Sequence, residues 1–260
     1  MLFRSVLDSG EEIEAHAIAA NVNPRTLFLD LVEPGAVPAE VLDRMRRYRS
    51  GSASFRMNVA LSELPDFIAA PGRTAGRHHG AGIIMAPSLA YMDRAHADAR
   101  AIGWSREPIV EMLIPSVIDD SLAPPGQHVA SLFCQHFNPR LPSGRSWAEE
   151  RNQAADLIIE TVNRYAPTFK ASVIARQVLS PLDLENVFGL PNGDIMHGSL
   201  GLDQIFSARP LLGHADYRMP LAGLYLCGSG AHPGGGVTGA PGHNAAREIL
   251  RDWRRQRRHP

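Results

Sequence analysis

The sequence predicts a mixed α+β fold of the α/β class on three observations. Residues 53–61 alternate as a half-buried strand does, with Ala53, Phe55, Met57, Val59 and Leu61 on one face and Ser54, Arg56, Asn58 and Ala60 on the other. Residues 38–49 carry Val41, Leu42, Met45 and Tyr48 at helical spacing. Near the end, the apolar run Leu224, Tyr225, Leu226, Cys227 suits a buried parallel strand; a glycine-dense turn and apolar groups at helical spacing over 244–253 follow it.

The remaining elements fall between these. Residues 4–7 and 12–19 flank Asp8-Ser9-Gly10-Glu11 and read as a hairpin or two strands joined by a turn. Helical patterns occupy 24–31 and 38–49. After the strand at 53–61 come a strand at 82–86, a helix at 88–102 and strands at 109–116 and 128–137. Ser146 and Glu149 have the spacing of a capping box and open a helix towards Tyr165, whose face of Leu157, Ile158, Thr161, Val162 and Tyr165 needs a partner surface. A strand at 172–179 leads to Ser180 as cap, Pro181 as first helical residue and Gly189 as terminator. Residues 51–179 thus predict a mixed sheet covered by helices, inserted between pieces at 1–50 and 180–260.

Composition excludes several functions. The 260 residues, 44% of them hydrophobic, can bury the core of one large domain or two smaller ones. A formal net charge of -1 gives no reason for a nucleic-acid partner, and Arg251, Arg254, Arg255, Arg257 and Arg258 read as a frayed, solvated basic tail rather than a binding patch. Cys134 and Cys227 are too few for a disulfide framework and read as small core residues. No apolar run reaches the roughly 18 residues of a transmembrane helix, and the N-terminus lacks a secretory pattern, so the simplest location is the cytoplasm, with peripheral membrane contact left open. His78-His79 lacks further spaced ligands, so no metal site is assigned. Ser52, Ser54 and Ser229 sit in no nucleophile-elbow context, which argues against a serine hydrolase.

The turn after Cys227 carries the functional argument. Side chains are absent at Gly234, Gly235 and Gly236, so a flat ring or a pyrophosphate could approach the main chain, and the N–H groups opening the next helix would face its negative charge. The competing reading is a flexible glycine loop joining a strand to a C-terminal helix.

The wording of this segment, from Gly223-Leu224-Tyr225-Leu226-Cys227-Gly228-Ser229-Gly230-Ala231-His232-Pro233-Gly234-Gly235-Gly236-Val237 to Asn244-Ala245-Ala246, resembles the C-terminal flavin-binding signature of phytoene desaturase-like FAD oxidoreductases. Within them it looks most like the pyridine nucleotide-disulfide oxidoreductase domain-containing group. Asn23-Pro24-Arg25, Ile114-Pro115-Ser116, Leu122-Ala123-Pro124-Pro125-Gly126, Ser180-Pro181-Leu182-Asp183, His197-Gly198, Asp203-Gln204-Ile205-Phe206 and Arg209-Pro210 follow the family's style and order, so the resemblance covers essentially the whole chain. The family's early G-x-G-x-x-G fingerprint is missing, and the chain looks like the C-terminal half of such an enzyme.

The resemblance implies a partial FAD/NAD(P)-binding, Rossmann-like domain built from 1–50 and 180–260, without its N-terminal βαβ unit, and a substrate-binding domain at 51–179. It implies FAD as cofactor. Gly228 and Ser229 would lie near the ribityl or pyrophosphate part, and Gly234, Gly235, Gly236 and Val237 beside the ring system. His232, His197 and Arg209 would line the cleft where flavin meets substrate. His232 faces flavin or substrate, or is a loop histidine bonded to backbone. His197 exchanges a proton or makes a structural hydrogen bond, and Arg209 holds negative charge near reduced flavin or pairs with an acid such as Asp203. The implied activity is a dehydrogenase or desaturase acting on a small apolar organic substrate. The alternatives are a non-catalytic binding or assembly module, a homo-oligomer, and a half-enzyme completed by a separate N-terminal flavin-domain chain.

Overall fold

The computed structural model describes residues 3–33, 35–72 and 74–258. Strands β1 (Phe3–Val6), β2 (Glu12–Ala15) and β3 (Ile18–Ala20) come first. Helix α1 (Pro24–Thr26) passes into a π-helical turn at Leu27–Leu31, and α2 (Ala39–Arg47) follows. Next are β4 (Phe55–Leu61), β5 (Ile83–Met85), α3 (Leu89–Ile102), β6 (Trp104–Leu113) and β7 (His128–Phe137). The chain then runs through α4 (Trp147–Tyr165), α5 (Phe169–Ser172), β8 (Val173–Leu179), α6 (Pro181–Phe188), β9 (Leu224–Leu226) and α7 (Ala240–Arg258). These form two compact units, one of Met1–Ser52 with Asp194–Pro260, the other of Ala53–Gly193.

The Ala53–Gly193 unit is built on a five-stranded sheet in the order β5-β6-β7-β4-β8. Every pairing in it is antiparallel, which corrects the expectation of a mixed sheet. A strand's pattern of apolar residues fixes which face is buried, not which way the strand runs. Direction follows from the connections, and β6 reaches β7 through short 3-10 turns rather than the crossover helix a parallel pair needs. Central β4 alternates as expected, with Phe55, Met57, Val59 and Leu61 buried. They share one core with Val110, Met112, Leu132 and Cys134 of the sheet and with Ala154, Ala155, Ile158 and Val162 of α4. Burial pushes the Cys134 thiol up, so it remains a neutral core group.

Local signals set the helix ends. Ser146 caps α4 by accepting from the Ala148 N–H at 3.1 Å. The reciprocal bond expected from Glu149 is not among the bonds formed, and the neighbouring Glu150 binds Arg145 at 3.0 Å. Ser180 makes the full box with Asp183: the Ser180 N–H donates to Asp183 Oδ2 at 2.9 Å and the Asp183 N–H to Ser180 Oγ at 3.3 Å. Gly189 ends α6 at φ +64°.

In the other unit, β1 and β2 form the expected hairpin, and β9 pairs in parallel with β3, Ile18 opposite Leu224 and Ala20 opposite Leu226. Leu27, Phe28, Val41, Met45, Leu224, Leu226 and Ala245 form its core. The polar side of α7 is tied down by Arg218, which donates to Asp252 at 2.7 Å and Glu248 at 2.7 Å, while the Tyr225 hydroxyl donates to Asp252 at 2.9 Å. The basic residues expected to fray therefore lie on a continuous helix; the Arg258 side chain falls outside the described residues.

Truncating Ile158, fully buried under the sheet, should lower stability by about 2–5 kcal/mol, whereas Ile84→Ala at an exposed position should stay within about 0.5 kcal/mol. Urea unfolding followed by circular dichroism measures both.

Candidate functional site

The glycine turn hangs from β9 and is bounded by the start of α7. Two side chains hold its middle. The Tyr217 hydroxyl donates to the His232 carbonyl at 2.8 Å and accepts from Asn244 Nδ2 of α7 at 2.8 Å. The Arg209 guanidinium, fully buried, donates from Nε and Nη2 to the Ser229 carbonyl at 3.0 and 2.6 Å, from Nη2 to Met196 O at 2.6 Å, and from Nη1 to Gly198 O and Gln204 O at 3.4 and 3.2 Å. Its fork of N–H donors is spent on main-chain carbonyls. Asp203, considered as its partner from sequence, pairs instead with Arg49 at the surface.

The loop that Arg209 grips is shaped from its other side by Asp194, also fully buried. Its carboxylate accepts from Ser50 Oγ at 2.9 Å and from the N–H groups of Gly51, Met196 and Gly198 at 2.8, 2.8 and 2.9 Å. Gln204 adds a peptide-like clamp on Arg49, accepting its N–H at 2.7 Å and donating to its carbonyl at 2.9 Å. The Tyr48 hydroxyl donates to the His197 carbonyl at 3.1 Å; burial, with the Asp194 charge adding and Arg209 opposing, pushes its pKa up to about 12, so it stays a donor.

These contacts revise the reason for the glycines. A Cβ on Gly228 would lie 1.8 Å from Asn21 Oδ1, and one on Gly235 would lie 2.8 Å from Met196 Sδ. Both positions are bare because the chain's own side chains fill the space. Gly234 and Gly236 instead take φ of +100° and +119°, which L residues resist. From Gly236 onward the turn is open: Val237 is fully exposed, and a Cβ on Gly239 would meet nothing within 4 Å.

The expected catalytic residues are thus placed differently. Arg209 is a buried hub. His197 follows Met196, and its Nδ1 is buried without a hydrogen-bond partner; burial, helped by Arg209 and opposed by Asp194, lowers its pKa. His232 is half-buried with its ring 5.8 Å from that of Phe206. Ser229 contributes its carbonyl to Arg209, and its Oγ lies 3.3 Å from where a Gly235 Cβ would be. Asp194, Gln204, Tyr217, Asn21 and Met196 escaped sequence reasoning. Only Asp194 had a visible signal, since Pro191-Asn192-Gly193-Asp194 has turn composition and an aspartate there commonly binds the N–H two residues on. Among the described residues, no group of three or more His, Cys, Asp or Glu side chains gathers as a metal site; His79 is buried with Nε2 on the Pro65 carbonyl at 2.9 Å.

No family model matches the chain. It is 43% identical over 251 residues to pyridine nucleotide-disulfide oxidoreductase domain-containing protein 2 of Mus musculus, covering 95% of this chain and 43% of that protein. It is 29% identical over 141 residues to a limonene dehydrogenase subunit from Castellaniella defragrans, covering 52% of this chain and 25% of the relative. It is 32% identical over 133 residues to a lycopene-forming phytoene desaturase of Pseudescherichia vulneris, covering 48% of this chain and 25% of the relative. A crystal structure of an oxidoreductase from Methanosarcina mazei shares the fold, with TM-score 0.55, 15% identity, and coverage of 95% of this chain and 45% of that one. The chain is therefore a relative of phytoene desaturase-like oxidoreductases, and among them of the pyridine nucleotide-disulfide oxidoreductase domain-containing group. It spans less than half the length of the first of these relatives.

Removing the buried cation in Arg209→Met should strand the carbonyls of Met196, Gly198, Gln204 and Ser229 and cost on the order of 3 kcal/mol or more, with amide exchange rising over 194–209 in hydrogen-exchange mass spectrometry. Because the pKa of His197 is lowered on folding, its contribution is complete above the ordinary value of 6.5 and is lost as pH falls through the lower folded value. The stability difference between wild type and His197→Gln, measured by urea midpoints at a series of pH values, should therefore change only below about pH 6.5.

Proposed function

We propose that this chain is the flavin-ring half of an FAD-dependent dehydrogenase or desaturase that acts on an apolar organic substrate. The observation that carries the reading is the main chain of 236–239, exposed between the buried parallel strand β9 and the start of α7 and without a side chain at Gly236 and Gly239. The residues fit a flat ring laid along an open shelf. They do not form an enclosed pocket around Gly228 and Gly235, which Asn21 and Met196 occupy. The names of the relatives, which include a limonene dehydrogenase and phytoene desaturases, support an apolar substrate.

FAD, when bound, supplies the acceptor for a hydride equivalent. The chain's own part is to hold the shelf. Gly236 and Val237 present main chain to the ring, Met196 supports Gly235 from behind, and Tyr217 with Arg209 holds the bend before them at His232 and Ser229. His197, its pKa lowered by burial, is neutral at pH 7 and keeps its unpaired Nδ1 enclosed next to Met196. His232 and Phe206 form an apolar-aromatic rim beside them.

A second reading is that a separate polypeptide carrying the nucleotide-binding βαβ unit completes the site; the chain spans 43% of the length of its mammalian relatives. Titrating FAD into the purified chain, followed by flavin fluorescence quenching and the visible band, tests both. Binding by the chain alone, abolished by Gly236→Val with circular dichroism unchanged, supports a self-sufficient shelf. Binding only after addition of the G-x-G-x-x-G portion of a longer relative supports the half-enzyme. A folded chain that binds flavin under neither condition sinks the proposal and favours a non-catalytic module.

A further inference from the structure

We infer that the outer face of α7 is a docking surface for an anionic lipid membrane. The helix has two acids, Glu248 and Asp252, and both are engaged by Arg218, which lies outside the helix, with Asp252 also accepting from Tyr225. Glu248 also accepts from Arg251 at 2.7 Å, so the side of α7 away from Arg218 is left to Arg247, Arg254 and Arg257. Arg247, Leu250, Arg251, Arg254 and Arg255 line an open cleft of about 530 Å³, and among the described residues Arg247, Arg254 and Arg257 form no ion pair.

Two apolar side chains border these cations. Leu250 is 47% exposed and Trp253, one turn on, is 50% exposed, with the Arg257 guanidinium 5.8 Å from its ring centroid. The chain's other tryptophans, Trp104 and Trp147, are buried in the sheet unit. A helix with arginines on its outward face and Leu and Trp at its border has the chemistry of an interfacial helix: guanidinium groups meet phosphate headgroups, and the indole settles at the headgroup boundary. Overall net charge is -1, so the attraction is confined to this face rather than spread as the broad basic field that a nucleic-acid backbone selects. No helix among the described residues is long and apolar enough to cross a membrane, so contact through α7 would be peripheral.

The test is co-sedimentation with phosphatidylcholine vesicles, with and without phosphatidylglycerol, together with tryptophan emission; no cofactor is needed, so the outcome is independent of the flavin reading. Binding should require phosphatidylglycerol, weaken in high salt and shift the emission to the blue. Each of Arg247→Gln, Arg254→Gln and Arg257→Gln should lower partitioning about fivefold, and the triple variant roughly a hundredfold. Leu250→Ser with Trp253→Ser should abolish the remaining binding, far-UV circular dichroism confirming that the inward contacts of Arg218 keep the helix in place. Equal binding to both vesicle types, no binding to either, or displacement from vesicles by duplex DNA would overturn the inference.

Discussion

A guanidinium buried without a carboxylate against it is the constraint on which the candidate site rests. Arg209 is held by main-chain carbonyls alone, drawn from the loop of 196–204 and from Ser229 in the glycine turn, so one side chain joins two segments that share no strand pairing. A cation in that position is costly unless every donor finds an acceptor, which makes the carbonyl positions strongly specified. Asp194 applies the opposite charge to the same loop through N–H groups. Between them the loop has little freedom, and Met196 and His197 are delivered to fixed places beside the turn.

That arrangement changes what the glycine run means. Its tight positions serve packing, because Asn21 and Met196 press on Gly228 and Gly235, while its unusual backbone angles and open edge lie one or two residues further on. An open edge and a packing constraint share one short segment, and the sequence alone writes both as glycine. The resemblance to flavin oxidoreductases and the geometry therefore bear on different residues of the same motif.

Much of the architecture was legible. The alternation of β4, the Ser180 cap of α6 and the Gly189 stop all come from local stereochemistry, and the structure follows them. What was not legible depends on partners distant in sequence. The antiparallel run of the sheet, the choice of Ala148 rather than a Glu149 box at Ser146, and the helical course of the arginines after 250 are set by packing. The same holds at the site. Asp194 gains its role from Ser50 and Gly51, and Gln204 from Arg49, separations of more than a hundred residues that no motif spacing records.

The place of β4 in its sheet has a consequence for how the protein is made. The strand emerges before both of its neighbours, β7 and β8, the latter ending at Leu179. Until that last strand leaves the ribosome, one edge of a strongly apolar ribbon stays unpaired, and closing it requires long loops to be gathered first. Synthesis therefore passes through an interval in which the Ala53–Gly193 unit is open to chaperones or to mispairing with a neighbouring nascent chain.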